Sequence, residues 1–308
     1  MMVSLGIRMR RWQRTLRRWV KDTRVQAAAQ GIGLFTCGFL LSAVSLRQYA
    51  QPFTLGLVAS LSGWPAVLVT VGGLLGYSAF WGAAGVQSMV WLCAALPAAL
   101  ILNRRQVARN TPWLMPALAA VIVAGTGLAF QFFDANFVPV LVYLLQVTLA
   151  MLAGRLFGAA AERQDPVLEW MICGVAVLAL AQVRLIPYFG FGYIAAGLLA
   201  AAGAFPAAAL AGLALDLSQV TPVPMTAVLC LAYLTRLVPG ATKRMTCCAA
   251  GVVYVLVMGL CGVMDLEPVP ALLLGGIVTI FLPPRPDVSR RRSESGFAQV
   301  RLELAASV

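Results

Sequence analysis

The stretch GLVASLSGWPAVLVTVGGL, residues 56–74, holds two apolar runs that meet at Gly63, Trp64 and Pro65. Proline removes an amide donor and biases the residue before it away from helix, so the two runs read as separate helical arms, about 53–62 and 64–76. The stretch returns 141 positions later as GLLAAAGAFPAAALAGLAL, residues 197–215, with its own hinge at Ala204, Phe205 and Pro206. Without a gap, Gly56, Leu57, Ala59, Pro65, Ala66 and Leu74 recur as Gly197, Leu198, Ala200, Pro206, Ala207 and Leu215, and Trp64 answers Phe205. An aromatic-proline hinge set between equal flanks points to an internal repeat built on interrupted helices, an arrangement that membrane proteins use.

Composition agrees with that setting. Of 308 residues, 61% are apolar and 11% charged, which is more hydrophobic material than a soluble domain of this size buries. Continuous apolar runs of about 20 residues between charged or proline-rich breaks match the length a helix needs to cross a bilayer, and they do not alternate as barrel strands do. The expected fold is therefore an all-α, polytopic membrane bundle. With no histidine in the chain, imidazole metal sites and histidine acid-base catalysis are excluded. The seven cysteines form no CxxC pair and read as small packing residues. No phosphate-cradling motif and no acid cluster of the magnesium or manganese type occurs, so neither a cofactor nor a metal is expected. Lys and Arg outnumber Asp and Glu by 23 to 11. The basic residues fall at the ends of apolar segments, where retention on the cytoplasmic side explains them without a nucleic-acid partner.

Residues 1–25 form a basic cytoplasmic segment. Leu5, Met9, Trp12, Leu16 and Trp19 share one helical face, with Arg8, Arg11, Arg14 and Arg18 around the other. An amphipathic helix lying on an anionic leaflet fits this pattern, as do a plain orienting flank and a partner-binding helix. The first membrane repeat, 26–160, begins with a span over 27–46 closed by Arg47. After the hinged pair come 86–102, the basic loop of Arg104, Arg105 and Arg109, and spans over 113–132 and 137–152. The second repeat, 161–284, follows the same order: 167–183 closed by Arg184, the second hinged pair, a helix to about Leu237, then 246–263 and 268–282. Basic loops at corresponding places put both halves in the same orientation, so the repeats are read as parallel, with both termini cytoplasmic and about eight to twelve crossings. Residues 285–308 form a cytoplasmic tail whose end, FAQVRLELAASV, reads as the start of a linker helix or as a frayed terminus.

Charges inside membrane helices are costly and therefore informative. Asp216 follows the second hinge, where Arg184 or Arg47 could meet it as an intramembrane charge pair; interfacial caps and snorkelling side chains explain the same positions. The hinges themselves are expected to face the bundle interior, because irregular backbone at membrane depth must be buried in protein or line a cavity. Gly72, Gly73, Gly76 and the Ala-rich 195–214 fit close helix packing or self-association.

The basic first segment, the Pro52-Phe53 step, the Gly63–Ala66 hinge with its Ala-rich copy, and FAQVRLELAA after PPRP together resemble the membrane region of stage II sporulation protein E. The resemblance implies a module that carries a serine/threonine phosphatase to the division septum of a sporulating bacterium. It also implies cell-division or sporulation partners beside the lipid bilayer. The manganese-binding aspartates of that phosphatase have no counterpart here, so no catalytic residue carries over and no enzyme is expected in this stretch. The alternative is a small-solute transporter or channel built from paired broken helices. Against it, Ser60, Ser62 and Thr70 at the first hinge are replaced by Ala201, Gly203 and Ala211 at the second.

Overall fold

The computed structural model describes residues 23–46, 49–103, 111–133, 138–162, 165–184, 189–238 and 243–281. The basic helix with Arg8, Arg11, Trp12, Arg14, Arg18 and Trp19, the tail after 281, and Arg47 lie outside the described residues. Among those described, the chain is all-α apart from one small hairpin. The first half contains α1 (Thr23–Leu41), the strands β1 (Ser45–Leu46) and β2 (Tyr49–Ala50), α2 (Phe53–Ser60), α3 (Trp64–Trp81), α4 (Val86–Leu102), α5 (Leu114–Phe133) and α6 (Val140–Glu162). The second half contains α7 (Pro166–Ala181), α8 (Phe191–Ala202), α9 (Phe205–Ser218), α10 (Met225–Leu234), α11 (Lys243–Cys261) and α12 (Pro268–Phe281). β1 and β2 pair antiparallel, Ser45 opposite Ala50 and Leu46 opposite Tyr49. Among the described residues three stretches, Trp64–Leu102, Leu114–Phe132 and Val140–Glu162, are long and apolar enough to cross a membrane.

Helix α1 lies on α3, α2 and α5 both lie on α6, and α4 packs between α3 and α5. In the second half α7 lies on α9, α8 and α11 both lie on α12, and α10 packs between α9 and α11. The halves meet along α6 and α7, α1 and α7, and α9 and β1. One apolar cluster, from Ala50 to Ala150, belongs to the first half. The other fills the second half and takes in Leu41, Val44, Phe53 and Ala153 from the first.

Small residues mark the closest helix contacts, while many large apolar side chains face outward. A Cβ on Gly38, Gly72 or Gly76 would strike the backbone of the facing helix, so α1 and α3 touch main chain to main chain. Gly56 and Gly197, equivalent in the two hinged stretches, act alike: a Cβ would stand 2.5 Å from Ala153 Cβ in one case and 2.7 Å from Leu272 O in the other. Each glycine lets a short helix close on the last helix of its half. Helix α9 buries Ala207, Ala208, Ala211 and Ala214 while Leu213 and Leu217 are exposed. Phe132 and Leu260 are 85% and 87% exposed. Outward leucines and phenylalanines are compatible with a hydrocarbon surrounding, where close helix packing is made by small residues.

The pairs Gly31 with Leu68, Phe35 with Gly72 and Phe39 with Gly76 keep one constant separation, so α1 and α3 run parallel. The chain must therefore return between them, through α2. Eight residues of helix cover only about 12 Å, and extended backbone on either side completes the return. Consequently the first hinge sits level with the start of α1, at one end of the bundle. This corrects the expectation of inward-facing hinges: Trp64 is 69% exposed and Phe205 46%. The closely packed alanines beside each break leave its aromatic ring at the surface.

Three helix boundaries also differ from the sequence reading. Helix α3 runs to Trp81, five residues past the expected end of its arm at 76. Helix α1 stops at Leu41, because Ala43 and Val44 donate back to Leu40 and Leu41 in a turn that leads into the hairpin. Helix α6 runs past Leu152 and Arg155 to Glu162. Arg155 is tolerated there because its long stem carries the guanidinium out to the Trp113 ring, 5.2 Å from the ring centre.

Candidate functional site

Each hinge interrupts a helix and leaves carbonyl oxygens without an intrahelical partner. In the first, Leu61 is extended and Gly63 adopts φ 64°, ψ −139°, a conformation open essentially to glycine alone. Pro65 then occupies the first turn of α3, where its missing N–H costs nothing. In the second, Gly203 and Ala204 are both plainly extended, with φ near −85° and −84°, so alanine stands without strain where the first copy needs glycine.

The freed carbonyls are claimed by one side chain in each half, and each comes from just beyond the fourth helix. Asn103, next after α4, donates through Nδ2 to Ala59 O (3.1 Å) and to Leu61 O. Arg236, two residues after α10, donates from Nη2 to Ala201 O (2.9 Å) and from Nη1 to Gly203 O (2.6 Å). In both cases the bonded carbonyls lie two residues apart at the C-terminal end of the short helix. The guanidinium also meets the partial negative charge of that helix end, which a neutral amide does less strongly. Arg236 packs on the Tyr233 ring at 5.1 Å, and Tyr233 meets Phe205 edge-on at 5.4 Å. Phe205 of the hinge is thereby tied to its clamp.

At the opposite end of the bundle the links into the short helices are also bound. Gln51 N donates to Val44 O and Phe191 N to Val183 O, both at 3.1 Å, so each short helix starts from a closed backbone turn. In the first half Gln146 Nε2 donates to Ala50 O (2.9 Å), Tyr77 Oη to Gln51 O (3.0 Å) and Trp81 Nε1 to Ser42 O (2.8 Å). Beside them lies a cavity of about 580 Å³ whose wall includes Gln87, Ser88, Trp91 and Gln146. Trp91 Nε1 and Gln146 Oε1 are buried and take no protein partner among the described residues. Gln182 Nε2 joins the halves, donating to Ser45 Oγ (2.6 Å) at the end of α7.

The charge pair suggested by the sequence is not formed between Asp216 and Arg184. Asp216 caps α10: its carboxylate accepts from Met225 N (2.6 Å), Thr226 N (3.0 Å) and Thr226 Oγ1. Backbone donors at a helix N-terminus satisfy a carboxylate as an arginine would, without holding two long side chains together. Arg184 instead lies 3.1 Å from Glu267, linking the end of α7 to the start of α12.

Gly63, Trp64, Pro65, Ala204, Phe205 and Pro206 thus form the two breaks, and Asn103 and Arg236 are the residues that sequence reasoning missed. Their only local signal is a polar side chain just past the fourth helix, which reads equally as part of a basic loop. The chain matches no protein-family model, no curated protein and no solved structure.

Proposed function

We propose that the chain is a multi-pass anchoring and localising module of a bacterial cytoplasmic membrane, built as two parallel six-helix repeats and serving the division septum. The observation that carries this reading is the pair of side-chain clamps. Each broken helix is braced by hydrogen bonds from the same place in its half, as suits a rigid packing element rather than a gate. The matching order of helix contacts in the two halves supports the repeat. Counting both arms of each hinge as crossings gives twelve, with both termini cytoplasmic. The resemblance to the membrane region of stage II sporulation protein E supplies the septum, self-association and sporulation partners, and the phosphatase chemistry of that family lies outside these residues. A fluorescent fusion is expected to concentrate at the asymmetric septum; an even spread around the cell would overturn the localisation. Cysteines introduced at Arg105 and Arg244 are expected to react from the same face, and opposite faces would refute the parallel repeat.

A second reading, a small-solute transporter or channel, is favoured by the cavity walled by Ser88, Trp91 and Gln146. These polar groups lie at the hairpin end rather than at the hinges. Solute uptake into liposomes that is abolished by Gln146→Leu would establish it in place of the first.

A further inference from the structure

The halves leave a groove of about 560 Å³ between α6, α7 and α9. Its wall is almost wholly aliphatic: Leu152, Met171, Leu213 and Leu217 line it, and each is between 45% and 59% exposed. Two charged residues also line it. One is Arg155, its guanidinium over Trp113 and without an ion pair among the described residues. The other is Asp165, at the start of α7. Its Oδ1 accepts from Val167 N (3.0 Å) to cap α7, and no hydrogen bond engages Oδ2 among the described residues. A guanidinium carried on a long stem to a tryptophan ring suits headgroup depth, which sets the aliphatic part of the groove along the acyl region.

We propose that this groove seats one acyl chain of a phospholipid with a zwitterionic, amine-bearing headgroup, the phosphate on Arg155 and the ammonium on Asp165. The inference rests on the reading of the chain as bilayer-spanning. A lone cation here would favour any anionic lipid. An adjacent carboxylate changes the preference: it repels a net-negative headgroup and accepts from a primary ammonium the hydrogen bonds that a quaternary one cannot donate. Because the halves touch along few elements, a lipid in this position also completes the packing between α6 and α7.

The test uses the full chain purified in mild detergent, with native mass spectrometry of added phosphatidylethanolamine, phosphatidylglycerol and phosphatidylcholine. One phosphatidylethanolamine is expected to bind about tenfold more tightly than either of the others, the ratio that one good charge-assisted contact supplies. Arg155→Gln should weaken it about tenfold while Arg155→Lys retains most of the affinity. Asp165→Asn keeps an acceptor for the α7 cap and should erase the preference over phosphatidylglycerol, leaving binding itself in place. Equal retention of all three lipids by the unaltered chain, or a preference indifferent to Asp165→Asn, would overturn the proposal. Alkaline carbonate washing of cell membranes separates the two failures: a chain that washes off refutes the bilayer reading, and a chain that stays without lipid preference refutes only the lipid site.

Discussion

Asn103 holds the first hinge through a neutral amide, whereas Arg236 holds the second through a guanidinium that is itself stacked on Tyr233. The backbone differs in the opposite sense. Gly63 takes a conformation that only glycine tolerates, while Ala204 at the matching place is ordinary extended chain. The first hinge is thus specified by its main chain and lightly clamped, and the second is permissive in main chain and strongly clamped. A break between a short and a long helix is required at both places because parallel first and third helices leave room only for a rapid return. How the freed carbonyls are then satisfied is open to different chemistry.

Breaking the second clamp should have the largest consequence. Arg236→Ala removes two charge-assisted bonds and leaves Ala201 O and Gly203 O unpaired, a loss of about 3 kcal/mol read as a fall in thermal midpoint in detergent. Arg236→Lys should recover only part, since one ammonium cannot span both carbonyls in a fork. An Arg236→Ala chain that melts with the parent would show the guanidinium to be a surface ornament. Next comes the backbone of the first hinge: Gly63→Ala should cost about 1–3 kcal/mol by forcing a Cβ into a glycine-only conformation. The reciprocal Ala204→Gly should cost less than about 1 kcal/mol, an unfolded-state entropy effect alone. Equal effects at 63 and 204 would erase the distinction between the hinges. Asn103→Ala should follow at about 1–2 kcal/mol, the value of a neutral amide serving two carbonyls.

Much of the helical order was legible because proline, glycine and charge mark chain breaks locally. Val86–Leu102 was read with the ends the structure gives it, and both arms of the first hinge were given their starting residues, 53 and 64. Arg155 misled the reading of α6, because a charge inside an apolar run signals an end unless a ring such as Trp113 receives it. The hinge clamps were invisible for a different reason. Asn103 reaches carbonyls more than 40 residues back and Arg236 more than 30, and no local period reports a bond of that range. Nor does the ungapped alignment bring the two clamps together, since the third and fourth helices of the second half are shorter than those of the first. The facing of the hinges failed because depth was inferred from hydropathy, which cannot tell an extended link at the end of a bundle from a broken helix at its centre.

The smallest expected effect concerns the charges at the end of the second half opposite its hinge, and it tests whether they form one network or two. Asp216 is bonded to the start of α10, and Arg184 to Glu267 at the start of α12. A double-mutant cycle of Asp216→Asn with Arg184→Gln should therefore show no coupling beyond error, although Asp216→Asn alone should cost about 1 kcal/mol as a weakened cap. The cycle of Arg184→Gln with Glu267→Gln should give a coupling of about 0.2–1 kcal/mol, diminished by added salt, because Arg184 is nearly half exposed. A coupling between Asp216 and Arg184 equal to that between Arg184 and Glu267 would join cap and ion pair into one charged network. The helix pair α8 and α9 would then be held by charge at both ends, by Arg236 at the hinge and by that network opposite it, and its contrast with the neutral first hinge would be wider than the hydrogen bonds alone make it.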